Sequence, residues 1–228
     1  MKYKRAFLLL SLFTPFFAFT SQAVECESNT DDKCVKIFVN DTKGKPVQDI
    51  VVYLEPLDGQ KLEPTETVVT VLQQNKAFAP YITVSQTQKA VSFVNHDDIT
   101  HHIYSADNDN KFSFKIRAGT QHVTDDFNKE AEIAMGCNIH DWMSGHLLVV
   151  DTPYFAKTDN KGEVSFSINK LGKYKVVVWH PQLATEDHRL SKAQTILAST
   201  SLTFSLPKDL DPIPTQENSD DFDFTSGY

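Results

Sequence analysis

Twelve short alternating or β-branched runs, separated by turn signals, constrain the fold of this chain more than any other feature. Convincing long helical segments are lacking, and many short strands at near-regular spacing predict an all-β sandwich or barrel. Residues 185–199 stay open, because they could hold one short helix. The predicted strands are Val35–Val39, Ile50–Leu54, Thr67–Leu72, Ile82–Val84, Ala90–Val94, His101–Ser105, Phe112–Ile116, Glu132–Cys137, His146–Val150, Glu163–Ile168, Lys173–Trp179 and Leu202–Leu206.

The N-terminus has the features of a cleavable secretion signal. Three cations precede an apolar run from Ala6 to Phe19, and the small-x-small triplet Ser21-Gln22-Ala23 follows. The run is too short for a membrane anchor and contains Pro15. We therefore expect residues 1–23 to be a signal peptide, and the mature chain to be periplasmic and not inserted in a membrane.

The charge of the chain argues against nucleic acid as a partner. The formal net charge is −8, and loss of the cations Lys2, Lys4 and Arg5 takes it to −11. An acidic chain is repelled by phosphate backbones. The change of composition after Pro207 predicts an acidic disordered tail over residues 208–228.

The stretch Cys137-Asn-Ile-His140-Asp-Trp-Met143 carries the clearest chemical signal. A thiol, an imidazole and a thioether follow one another at intervals of three, where a predicted strand ends in a tight loop. Cys137 shares a strand face with Ile133 and Met135, which we expect to be the inner face. This donor set suits copper in both oxidation states, and it suits zinc poorly because no CxxC pair is present.

A second imidazole must come from another strand to complete three strong donors. His101 is the best candidate because it alternates with Ile103, on the face that we expect to point inward. His102 is the next candidate, and His96 lies in the preceding turn.

From about Thr65 to Asp151 the sequence resembles the cupredoxins, the small blue copper proteins. The resemblance includes Val91-Ser-Phe-Val-Asn95, His101-His-Ile and the Cys-x2-His-x2-Met loop, whose spacing is similar to that of amicyanins. It implies a cupredoxin-like Greek-key β-sandwich with one type 1 copper per chain. The implied ligands are His101, Cys137, His140 and Met143.

The sequence departs from this pattern at His102, where plastocyanins and amicyanins often carry Asn. That Asn ties the two ligand loops together in the family. The side chain or backbone of His102 would have to replace its hydrogen bond.

The segments on either side of the copper motif resemble carboxypeptidase-regulatory-like or transthyretin-like sandwiches. Asp41-Thr-Lys-Gly-Lys-Pro46 and Gly172-Lys-Tyr-Lys-Val-Val-Val-Trp179 are among the similar segments. We expect residues 24–60 and 152–207 to form this second small β-sandwich, with the cupredoxin domain, residues 61–151, inserted into it. The alternative is one enlarged cupredoxin with extra edge strands. The second sandwich would serve docking or presentation.

Three further residues have predicted structural roles. Cys26 and Cys34 lie eight positions apart in a chain bound for an oxidising compartment, so we expect a disulfide that leaves Cys137 free. His146 is expected at the surface.

The resemblance implies an electron-transfer protein with unidentified redox partner proteins. Ile139 and Trp142 flank His140 and are candidates for partner docking, although Trp142 could instead pack inward. A copper carrier or resistance protein is the alternative function. An enzyme is not expected, because no His pairs for a second, catalytic centre are found.

Overall fold

The computed structural model describes residues 31–66, 68–107 and 110–217, and it is built from β-strands. The all-β prediction is confirmed, and sixteen strands are found within these residues. Their bounds are β1 Lys33–Asn40, β2 Val51–Pro56, β3 Val69–Gln74, β4 Ala77–Ala79, β5 Ile82–Gln86, β6 Val91–Asn95, β7 His101–Ser105, β8 Phe112–Ile116, β9 Gln121–Thr124, β10 Ala131–Cys137, β11 Ser144–Val150, β12 Phe155–Lys157, β13 Glu163–Ile168, β14 Gly172–Trp179, β15 Arg189–Ile196 and β16 Thr200–Ser205.

The strands form four sheets. Sheet 1 has the order β13-β1-β16, sheet 2 β12-β2-β14-β15, sheet 3 β5-β11-β10-β7-β8 and sheet 4 β4-β3-β6-β9. Sheets 1 and 2 take their strands from residues 33–56 and 155–205, whereas sheets 3 and 4 take theirs from residues 69–150. Among the described strands, no ladder of hydrogen bonds joins the two groups.

In the described part of the chain, three apolar cores hold the sheets together in the layer order 1, 2, 3, 4. One core lies between sheets 1 and 2, and a second lies between sheets 3 and 4. The third core, called the seam here, joins sheets 2 and 3 and includes Trp179, which is fully buried. Truncation of a buried Trp to Ala typically costs about 3–5 kcal/mol, so the seam fixes one sandwich against the other.

The sequences of the inner strands reflect burial on two faces. In β11, Leu147 and Val149 enter the core between sheets 3 and 4, while Leu148 and Val150 enter the seam. Strands β2 and β14 alternate in the same way between the first core and the seam. Continuous apolar runs are expected wherever a sheet is covered on both sides.

Residues 185–199 hold a strand and no helix. Strand β15 pairs antiparallel with β14 along its whole length, from Arg189 opposite Trp179 to Ile196 opposite Gly172. Most of its side chains are exposed or half-buried. The strand is therefore specified by backbone pairing with β14, which a hydrophobic pattern does not reveal.

The first part of the predicted disordered tail contacts the folded body. Residues 208–217 form no regular element, but the Thr42 hydroxyl donates to Asp209 over 2.7 Å and Leu210 packs on the first core. Gln216 exchanges two hydrogen bonds with Ser144, at 3.0 and 3.1 Å. Residues 208–217 thus contact the folded body, and disorder of the tail stays a prediction.

Some sequence predictions fall outside the described residues. These are the signal peptide, residues 1–23, the end of the tail, residues 218–228, and Cys26. Cys34 is disulfide-bonded, and its pairing with Cys26 stays a prediction.

Two histidines lie at the edge of the seam, where the sequence predicted a surface position for His146. The His146 ring is instead half-buried, 5.4 Å from the Tyr81 ring in an edge-on arrangement. His180 is buried, and its Nδ1 accepts the N–H of Gln182 over 3.2 Å. Burial, with a smaller contribution from nearby His146, lowers the pKa of His180 to about 4.

His180 should therefore destabilise the fold at acidic pH. The unfolded chain binds a proton at His180 below about pH 6.5, whereas the folded chain does so only near pH 4, so stability is lost as the pH falls through this window. Between pH 7 and 4 we expect the free energy of unfolding of the metal-free protein to fall by roughly 3 kcal/mol more than in His180→Gln. Urea denaturation at both pH values measures the difference, with the exposed His96→Gln as control. We expect His96→Gln to lose as much stability between pH 7 and 4 as the wild type. If His180→Gln loses the same amount as His96→Gln, His180 is not the source of the acid sensitivity.

Candidate metal centre

Strand β10 carries Cys137 into the core between sheets 3 and 4. Alternate residues of the strand, Ile133, Met135 and Cys137, are all buried in this core, on the face that the alternation predicted. Cys137 is the last residue of the strand and is only 4% exposed. It is the free cysteine of the described chain. A thiol at this position faces inward at the point where the chain turns into a loop.

Strand β7 places His101 beside the thiol. The pairing of β10 with β7 sets Cys137 opposite Ile103. Because side chains two positions apart share a face, His101 points to the same core, where it is fully buried. Its Nδ1 lies 3.7 Å from Cys137 Sγ. His102 is half-buried on the other face and bonds Ser113 over 2.8 Å.

The loop after β10 returns His140 and Met143 to the same place. The N–H of Met143 donates to the carbonyl of His140 over 3.0 Å, which closes a tight turn. His140 Nδ1 then lies 3.7 Å from Cys137 Sγ. One ligand atom from each of His101, Cys137 and His140 lies within 4.8 Å of the others. Met143 is fully buried in the cluster that contains Cys137.

Residue 138 ties the two ligand-bearing segments together. The Asn138 N–H donates to the His102 carbonyl over 2.9 Å. The Asn138 side-chain nitrogen lies 3.2 Å from His102 Nδ1. Both the backbone and the side chain of His102 thus make the connection that Asn makes in the family resembled. The two segments that carry the candidate ligands are therefore cross-linked despite this departure.

A residue that the sequence reasoning missed, Asp97, contacts His101. Its Oδ2 lies 2.7 Å from His101 Nε2, and its two oxygens accept the N–H groups of Asn75 and Lys76. Burial alone would raise the pKa of Asp97. The pKa is nevertheless held below its usual value by hydrogen bonds from the Lys76 N–H, from His101 and from the Asn75 N–H. The sequence signal was the short turn Asn95–Asp98, in which an acid precedes His101 by four positions.

His140 forms the outer edge of the site. Its ring is 6% exposed and lies 5.1 Å, centroid to centroid, from both the His101 and the Trp142 rings. Burial lowers the pKa of His140 below its usual value. The neutral imidazole, which is the form that binds metals, is therefore favoured. Beside it, Trp142 is half-buried and Ile139 is 54% exposed.

The donor set decides which metal this cluster could hold. Two imidazoles and one thiolate form the strong part of a trigonal copper site, and a thioether is the usual weak axial donor. A structural zinc site would need a fourth strong donor, and within the described residues no other Cys, His, Asp or Glu joins the cluster. His101, Cys137 and His140, with Met143 nearby, therefore fit copper better than zinc.

Comparisons with known proteins add a partial likeness of fold. No protein-family model matches the chain, and no curated protein is significantly similar to it. A copper-containing nitrite reductase from Thermus scotoductus is 24% identical over 42% of this chain, with a TM-score of 0.35, and the match spans 24% of the reductase chain. A purple cupredoxin from Nitrosopumilus maritimus is 20% identical over 36% of this chain and 99% of its own, with a TM-score of 0.33. Amicyanin from Paracoccus versutus is 16% identical over 38% of this chain and 84% of its own, with a TM-score of 0.34.

These likenesses are too distant to carry the chemistry of the site, which follows from its own residues and distances.

In the described part of the chain, no helix has the length and apolar character needed to cross a bilayer.

Proposed function

We propose that this chain is an exported copper protein that transfers single electrons between redox partners. One copper per chain would be held by His101, Cys137 and His140, with the thioether of Met143 as a weaker donor. The observation that carries the proposal is the convergence of two imidazole nitrogens on one buried thiol, each 3.7 Å from Sγ. Copper bound there would supply a one-electron couple.

The surroundings of the cluster favour electron transfer over copper carriage. His101, Cys137 and His140 are all buried. They come from β7, from β10 and from the loop after β10, and the Asn138–His102 contacts join β7 to that loop. A site that is held in place needs little rearrangement when its charge changes. A carrier would need ligands that open to solvent and release the ion. A Cu(I) competition titration separates the two, since weak, rapidly exchanging copper would favour the carrier.

Electrons would enter and leave at the His140 edge. The His140 ring lies against Trp142, and the exposed side chain of Ile139 adds apolar surface next to it. Brief redox encounters use small interfaces. We propose that this patch docks the partner proteins, and we propose no catalytic role for the chain.

Export to the periplasm remains part of the proposal. It is supported by the signal-like segment, residues 1–23, and by the disulfide-bonded state of Cys34, which is typical of oxidising compartments. The second sandwich, formed by sheets 1 and 2, is fixed to sheet 3 by the seam. It would present the copper domain to partners or anchor it in an assembly.

The copper assignment is tested by replacing the thiol. Added Cu(II) should give the wild-type protein an intense blue or green charge-transfer band. Cys137→Ser should abolish the band while circular dichroism shows an intact β-fold, because only the thiolate provides the charge-transfer donor. Met135→Leu, on the same strand face, is the matched control and should keep the band. A colourless one-to-one copper complex of the wild type would contradict the assignment.

The docking patch is tested by truncating its aromatic residue. Trp142→Ala should slow electron self-exchange by about fivefold or more, equivalent to ~1 kcal/mol of lost encounter energy, with little change in the spectrum. NMR line broadening in mixtures of oxidised and reduced protein measures the rate. Leu197→Ala, which removes an exposed apolar side chain of the second sandwich, serves as control. The docking role would be contradicted if Trp142→Ala loses most of its absorption band while the molecules that stay coloured exchange electrons at the wild-type rate. Trp142 would then only support the loop.

A further inference from the structure

We propose that Asp97 is a positioning residue for His101 and that it shifts the copper centre toward Cu(II). The inference rests on the proposed copper centre. The two nitrogens of the His101 ring have different neighbours. Nδ1 lies 3.7 Å from Cys137 Sγ, on the side of the candidate metal site, whereas Nε2 lies 2.7 Å from Asp97 Oδ2. The ring is fully buried, so these contacts are its polar environment.

The carboxylate selects the tautomer that can bind a metal. An ionised Asp97 can only accept at this contact, so a neutral His101 ring must carry its proton on Nε2. The lone pair of Nδ1 is then free and directed at the side where Cys137 and His140 converge. Without an acceptor at Nε2, the buried ring could equally well carry its proton on Nδ1 and oppose metal binding. Carboxylate partners of ligating histidines fix orientation in this manner.

The carboxylate is itself held in place by backbone groups. Asp97 Oδ1 accepts the Asn75 N–H over 2.6 Å, and Oδ2 accepts the Lys76 N–H over 2.9 Å. The Asp97 N–H donates to the Asn95 side-chain oxygen over 2.9 Å. These bonds join the turn between β3 and β4 to the turn before β7. The position of the carboxylate is therefore set by the fold before any metal arrives.

The charge of Asp97 should also favour the oxidised metal. A negative charge one imidazole away stabilises Cu(II) more than Cu(I), because the attraction scales with the charge of the ion. Among the described residues no carboxylate bonds His140, whose ring lies against Trp142. The two imidazoles thus differ, and His101 is the one that carries the electrostatic bias.

Asp97→Asn tests this role, because the amide has the same shape but lacks the charge. We expect the ratio of Cu(II) to Cu(I) affinity to fall about tenfold, which raises the reduction potential by about 59 mV. Protein-film voltammetry measures the potential. Asp98→Asn removes the same charge at the adjacent exposed position and should change the ratio less than threefold. The proposal would be overturned if Asp97→Asn lowers only the stability of the protein and leaves the ratio of Cu(II) to Cu(I) affinity as in the wild type or in Asp98→Asn.

A second measurement does not depend on copper. Nitrogen-15 NMR of the metal-free wild-type chain should show His101 protonated on Nε2, and Asp97→Asn should populate the Nδ1–H form. Protonation on Nδ1 in the wild type would overturn the proposal even if the variant fails to fold. Absence of a coloured copper complex would count against the proposed function. The protonated nitrogen of His101 in the metal-free chain would still show whether Asp97 sets the tautomer.

Discussion

The register between β10 and β7 is the constraint on which the candidate metal centre depends. Cys137 pairs with Ile103, so the side chains of Cys137 and His101 project from neighbouring strands into one core. A slip of one residue would turn His102 inward and His101 outward, and the centre would lose its first imidazole. The register is held by the buried face of β10 and by Asn138, which bonds His102 just beyond the last paired residue.

The layered sheets explain why this register is rigid. Sheet 3, which carries Cys137, His101 and the start of β11, is covered by sheet 4 on one side and in part by sheet 2 on the other. Strand β11 leaves the ligand loop and continues into both cores, so the loop is anchored where it ends. A buried, close-packed scaffold resists rearrangement when the charge of a bound metal ion changes by one unit. The proposed electron-transfer role uses this property of the fold.

Strict alternation made the inner part of the site predictable from the sequence. The inward faces of β10 and β7 follow from every second residue, and the short loop limits where His140 can lie. Asp97 was missed because it lies in a turn, where strand alternation gives no signal. The Asn75 and Lys76 N–H groups that hold it come from another turn, distant in sequence. Strand β15 was missed because its side chains are mostly exposed and its partner β14 supplies the order. His146 was misplaced because the seam that covers it exists only once both sandwiches have folded.

X-ray absorption at the copper K edge of the copper-loaded full-length chain tests the central claim most directly. It reports the atoms bound to the metal without reference to colour or activity. The account predicts one copper per chain with one sulfur and two nitrogen neighbours at short distance, and any further sulfur contribution weak and long. A first shell made only of nitrogen and oxygen, or one with two equally short sulfur neighbours, would contradict it.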